Sequence, residues 1–293
     1  MSLGIMVFAR SRGTIFRLGM GWMFMAAAPN IHAHGSHSLL LARVDAALPE
    51  RPENGGLWYR RAQLDFEHED FAESLLDLEK AGHFAPGKFP VLWLKGRSLD
   101  AAGKSNEALA ALDAFIAGSP RHWEALASRA RVESKLGMIE KAIADYKAAL
   151  TSNPEVGLDL VQEYAQMLAG NGFTDESLRV LEDALSRLGS VPSLQMKMIE
   201  VEIAANQYDS ALTRLNDFQR SAPRPEPWME KRASLLARAG RLAESRAAWQ
   251  ALGDHIGQLS PVERDSHAMT LLAEQSHQAL SVLASTDPPN TLR

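Results

Sequence analysis

Residues 123–154 read WEALASRARVESKLGMIEKAIADYKAALTSNP, and the spacing of small and apolar residues in this stretch decides the fold. Leu126, Ala130 and Leu136 fall on one helical stripe, which Gly137 interrupts. A second stripe follows at Ile139, Ala142, Ile143, Tyr146 and Ala149, and Pro154 ends it. Apolar residues recurring at steps of three and four mark one face of an amphipathic helix. Glycine accepts the positive φ of a tight helix–helix turn, and proline cannot continue a helix. The stretch therefore predicts a helical hairpin, with Ala142 small because the two helices cross there.

Outward from this unit the same pattern recurs. Ser74, Ala108, Ala142, Ser177, Ala211 and Ser245 are spaced by 34, 34, 35, 34 and 34 residues. Gly103, Gly137, Gly172, Asn206 and Gly240 keep the same step, and Pro52, Pro86, Pro120 and Pro154 are each 34 apart, with Pro223 two repeats on. A period near 34 with such ladders is the mark of a helix–turn–helix solenoid, in which each unit buries its apolar face only against its neighbours.

These residues resemble the tetratricopeptide repeat family, whose motif has small residues at its eighth, twentieth and twenty-seventh positions and proline at its thirty-second. The matches are Ala62, Ser74, Ala81 and Pro86; Gly96, Ala108, Phe115 and Pro120; and Ala130, Ala142, Ala149 and Pro154. After a one-residue insertion come Ala165, Ser177 and Ala184, then Ile199, Ala211, Phe218 and Pro223, then Ala233, Ser245 and Leu252. Phe115, Phe218 and Leu252 at the twenty-seventh position and Ile199 at the eighth depart from the motif and predict local repacking. The resemblance implies an all-α, right-handed superhelical solenoid of about six repeats plus terminal capping helices. The repeats are expected at about 55–88, 89–122, 123–156, 157–191, 192–225 and 226–253, so that the array spans 55–253.

Composition narrows the function. The 293 residues include no cysteine, which excludes disulfides, thiolate metal sites and a cysteine nucleophile. A net charge of −5 without a basic run argues against nucleic acid as the main partner.

Residues 1–33 read as a signal peptide: no acid precedes Asp45, and Arg10, Arg12 and Arg17 lead into the apolar stretch Leu18–Ala28. That stretch is shorter than the ~20 residues that span a bilayer, and Ile31-His32-Ala33 offers a cleavage site with a small final residue. The expected location is periplasmic or secreted, with no membrane span after cleavage; an uncleaved anchor is the alternative. Residues 34–54 hold a histidine-containing junction and an N-terminal capping helix, the latter over 39–48. His34 and His37 are candidate copper ligands, since imidazole near a free amino terminus can complete a chelate.

At the other end, Ser260-Pro261-Val262-Glu263 combines an N-cap serine, a proline at the first helical position and a glutamate three after the cap. It predicts a single helix to Leu283 within a C-terminal cap over 254–283, followed by a disordered tail over 284–293.

No catalytic set assembles from the sequence: His68-Glu69 lacks a second histidine at zinc-protease spacing, and glycines sit singly at repeat turns. The chain is expected to be no enzyme and to need no cofactor. The resemblance places a concave groove along the first helix of each pair. It assigns Tyr59, Gln63 and Phe66 to that groove from the first repeat, Trp93 and Arg97 from the second, and Arg131 and Lys135 from the third. Aromatic and arginine anchors of this kind carry binding energy in peptide grooves. Family members that bind chaperone tails use an asparagine clamp at these positions, which this chain lacks. The expected partner is a protein or peptide, with metal handling by the histidines, or service as a non-catalytic regulatory subunit, as alternatives.

Overall fold

The computed structural model describes residues 31–285 apart from 154, 156 and 190, and the side chains of 31–37 and 221 lie outside that description. Residues 1–30 of the expected signal peptide, Pro154 and most of the expected tail therefore fall outside the described residues, whereas residues 31–33 are helical. The chain divides into two units, 1–52 and 53–293.

In the first unit, α1 spans Ile31–Ala47. It extends back from the stripe expected over 39–48 as far as the first described residue.

In the second unit, six hairpins follow one another. They are α2 (Gly55–Glu67) with α3 (Phe71–Phe84), α4 (Val91–Ala101) with α5 (Ser105–Gly118), and α6 (Trp123–Lys135) with α7 (Ile139–Ser152). Next come α8 (Leu158–Gly170) with α9 (Thr174–Leu188), α10 (Pro192–Ala204) with α11 (Tyr208–Ser221), and α12 (Glu226–Arg238) with α13 (Leu242–Gln258). Two further helices, α14 (Pro261–Arg264) and α15 (His267–Ser285), complete the unit, with α15 packed mainly on α13. The described residues are all helix and turn, in the repeat arrangement of a solenoid.

The six turns share one geometry. The residue two places before each second helix lies in the left-handed region: Glu69 (φ 67°), Gly103 (77°), Gly137 (74°), Gly172 (84°), Asn206 (59°) and Gly240 (75°). The next N–H donates back five residues to a carbonyl of the first helix, as from Lys104 to Leu99 at 2.8 Å and from Phe173 to Leu168 at 2.9 Å. Such a bond satisfies a carbonyl that the helix end leaves open. Glu69 occupies the place that glycine holds in four repeats, a position the glycine ladder did not reveal.

Small residues let the helices of each hairpin touch. Ala62, Ser74, Ala130, Ala142, Ala165, Ser177, Ala233 and Ser245 have no exposed surface. Where the second-helix residue is serine, its hydroxyl donates to the carbonyl opposite: Ser74 to Ala62 at 2.9 Å, Ser177 to Ala165 at 2.7 Å and Ser245 to Ala233 at 2.8 Å. At Gly96 a Cβ would come within 2.6 Å of Leu112, so only glycine fits there. The departures from the motif are absorbed by repacking. Phe115 meets the His122 ring edge-on at 5.1 Å, and Phe218 stacks on Trp228 at 4.4 Å, each at the start of the next hairpin. Leu252 and Ile199 are fully enclosed in the core around α11–α13.

One row of the core carries charge. The residue whose carbonyl accepts the turn bond is Asp65, Leu99, Glu133, Leu168, Glu202 and Leu236 in successive repeats, all of them buried. Carboxylates thus alternate with leucines, and each carboxylate has an arginine close by. Arg61 forks onto Asp77 beside Asp65 (Nη2–Oδ1 2.7 Å), Arg129 bridges Asp145 and Asp113 beside Glu133 (Nη1–Oδ1 of Asp113, 2.7 Å), and Arg214 Nε donates to Glu202 at 2.7 Å.

The predicted C-terminal helix over 260–283 is broken in two. Ser260 and Glu263 form the expected capping box at the start of α14. The Ser266 hydroxyl then donates to the Glu263 carbonyl at 2.6 Å and competes with the backbone ladder, so α15 begins afresh at His267. Ala284 and Ser285, expected in the tail, are its last turn.

Two predictions follow from the turns and the charged row. Glu69→Gly removes a side chain from a left-handed residue whose strain is on the order of 1 kcal/mol, and should raise the denaturation midpoint accordingly. Burial, then the charge of Asp145, push the Glu133 carboxyl from 4.5 up to about 7. Between these values the folded chain keeps a proton that the unfolded chain has lost, so this group's contribution to stability falls as pH rises through that window. Glu133→Gln should therefore gain melting temperature over the parent at pH 8 and gain less, or lose, at pH 5. An equal difference at both pH values would contradict the assignment.

Candidate functional site

The first helices α2, α4 and α6 pack side by side, and a repeat of 34 residues brings equivalent positions into a row across them. Gln63, Arg97 and Arg131 form one such row, with Trp93 one turn before Arg97 and Phe66 near the end of α2. Three of the predicted residues meet directly. The Arg97 guanidinium carbon lies over the Phe66 ring at 4.4 Å and over the Trp93 ring at 5.1 Å.

Each ring is fixed by its surroundings. Trp93 Nε1 donates to Ser128 Oγ at 3.2 Å, and Ser128 in turn donates to the Glu124 carbonyl at 2.6 Å. The Trp93 ring also packs on His122 at 5.2 Å, and His122 Nδ1 accepts the Ala125 N–H at the start of α6. Phe66 rests against Phe71 at 5.7 Å. Indole and guanidinium are thereby held in one place before any partner arrives.

The other predicted residues are placed differently. Tyr59 is buried and stacks on Phe89 at 5.1 Å, and burial raises its phenol above the usual tyrosine range. It contributes a wall beneath the site. Gln63 Oε1 accepts from Arg60 at 3.4 Å. Arg131 is clamped by Glu163 through Nε–Oε1 at 2.5 Å and Nη2–Oε2 at 2.8 Å, and the buried Tyr146 hydroxyl donates to the same carboxylate at 2.8 Å. Lys135 pairs with Asp100 at 2.7 Å. Three cations were expected on this face. Two are already bonded to acids of the chain itself.

Arg97 is the exception. Among the described residues it has two rings and no ion pair or hydrogen bond. Burial first, and then the like charge of Arg131, hold its guanidinium below the usual arginine range. The cause is local: its water is partly removed, and the opposing pull of Tyr59 and Glu67 is the weaker effect.

Sequence reasoning missed Glu163, Asp100, Tyr146, Ser128 and His122. The signal for one of them was present as a spacing of 32 residues between an arginine and an acid. That spacing pairs Arg131 with Glu163 and recurs in Arg214 with Glu182 and Arg241 with Asp209. Among the described residues no group of three or more histidine, aspartate or glutamate residues could hold a metal ion. His34 and His37 lie on α1, with side chains outside the described residues. No described helix is long and apolar enough to cross a membrane.

Glu163→Ala would leave a buried tyrosine hydroxyl and a half-buried guanidinium without their shared acceptor. A loss of about 1–3 kcal/mol in chemical denaturation is expected, and Tyr146→Phe in the same background should add little, because the pair fails together.

Comparison with known proteins supports the fold. Residues 94–156 and 196–257 match the tetratricopeptide repeat family model. A tetratricopeptide repeat protein from Parabacteroides merdae is 14% identical, with 84% of this chain and 94% of that one covered at a TM-score of 0.53. PilW, a type IV pilus biogenesis factor, is 17% identical over 65% of this chain and 88% of its own, with a TM-score of 0.56. The C-terminal part of a repeat protein from Cytophaga hutchinsonii is 13% identical over 78% and 96%, with a TM-score of 0.54. No curated protein matches the chain. Identities this low speak for the fold alone, and they agree with the spacing, the left-handed turns and the two matched stretches: residues 94–156 and 196–257 carry tetratricopeptide repeats, and the described helices stack in the repeat arrangement of a solenoid.

Proposed function

We propose that this chain is an exported scaffold that binds a protein or peptide across the first-helix face of its first three repeats and acts by interaction and not by catalysis. The observation that carries the reading is Arg97, half-buried between Phe66 and Trp93 without an ion pair among the described residues. A solvated surface arginine gains only on the order of 1 kcal/mol from such a setting. A groove residue that exchanges the rest of its water for a partner gains both the contact and the rings' apolar surface. Repeat proteins of this fold commonly bind protein partners, which favours a polypeptide as the occupant. Export rests on Arg10, Arg12 and Arg17 ahead of Leu18–Ala28 and on the absence of cysteine.

The test is affinity capture from native extract with the chain lacking residues 1–33, compared with a Trp93→Ala/Arg97→Ala variant whose helicity is matched by circular dichroism. A protein enriched at least tenfold by the parent and lost with the variant is the expected outcome. Equal enrichment by both would move the site off this face. For export, residues 1–40 fused to a phosphatase that is active only outside the cytoplasm should give activity, and deletion of Leu18–Ala28 should abolish it.

A further inference from the structure

The charge on the first-helix face is nearly all accounted for, and what is left over specifies the occupant. Arg131 has its Nε–Nη2 edge on Glu163, and Lys135 has Asp100. One repeat earlier, at the position equivalent to Arg97, stands the neutral Gln63, itself engaged by Arg60. One repeat after Arg131 stands Gln166, whose Oε1 accepts from Lys197, and Lys197 also pairs with Glu200. Of Gln63, Arg97, Arg131 and Gln166, Arg97 is therefore the charged residue without an ion pair among the described residues; Glu67 acts on it without forming one, and Arg60 adds a second cation on the Gln63 side.

We infer that the occupant presents one carboxylate, an aspartate or glutamate side chain within a continuous segment, to Arg97 between Phe66 and Trp93, with uncharged residues on the Arg131 side. This deepens the groove reading and rests on it. A planar guanidinium offers five N–H donors and matches a carboxylate with two parallel hydrogen bonds, which are stronger where water is partly excluded. The two rings lie against Arg97 and do not compete for an acceptor, because they supply none. A second acid on the Arg131 side would face Glu163 or Asp100, whose own cations are already paired, so a run of acids in that direction is disfavoured by like charge. A side chain is the source because the row of equivalent positions continues past Arg97 in both directions, to Gln63 and to Arg131, and leaves a passing segment room on each side.

The test is selection from randomised twelve-residue peptides displayed with both ends joined to the carrier, against the chain lacking residues 1–33. Selected peptides should share a single aspartate or glutamate at one fixed position. A synthetic hit should bind about tenfold or more tighter than its Asn or Gln counterpart, a difference expected for one charge-assisted pair. Arg97→Gln should erase that difference, whereas Lys135→Gln should keep it. Hits without an acid, hits with runs of acids, hits found only with a free C-terminus, or a difference that survives Arg97→Gln would each overturn this inference while leaving the groove in place. Failure to select any peptide, or hits that bind Trp93→Ala as well as the parent, would overturn the groove reading itself.

Discussion

Close approach between two helices at one small residue each is the constraint on which the rest of this molecule depends. Ala130 and Ala142 show the plain form of it, and Ser177 with Ala165 shows a form in which the second-helix residue also donates a hydrogen bond. Anything larger on both sides would separate the helices and expose the apolar stripes that they cover. Where the first-helix residue grows to Ile199, the opposite one stays at Ala211, and both remain buried in one core. The left-handed turn serves the same end. It reverses the chain in three residues, so that the two small residues face each other instead of sliding past.

Once the hairpins are fixed, each can bury its flank only on the next one, and this imposes order on the charged groups. Asp65, Glu133 and Glu202 sit inside the array with arginines beside them, and Leu99, Leu168 and Leu236 fill the same place in the intervening repeats. A buried carboxylate is costly unless compensated, and in this row the acids of alternate repeats each have an arginine within the same hairpin. Arg129, bonded to Asp113 of the preceding hairpin and Asp145 of its own, shows how such a pair also joins layers. The same economy shapes the first-helix face. Acids one repeat away take up Arg131 and Lys135, and Arg97 is left between two rings.

Much of this was open to reading in the residues. The 34-residue step, the small residues at the crossing and the glycines at the turns determined the all-helical repeat architecture, because helix packing and positive φ each admit few side chains. The resemblance to tetratricopeptide repeats also placed Phe66, Trp93 and Arg97 on one face. The alternation of acid and leucine, with a period of two repeats, was legible too, but it concerns residues that vary where a ladder search looks for sameness. What only the tertiary structure decided is which charges survive. Whether Arg131 is free or bound depends on Glu163, 32 residues away on another hairpin, and no local pattern fixes the side-chain directions that bring them within 2.5 Å. It likewise decided that Glu69 takes the left-handed turn without glycine, because five other turns of identical geometry and the packed helices on either side hold the backbone there against its own preference.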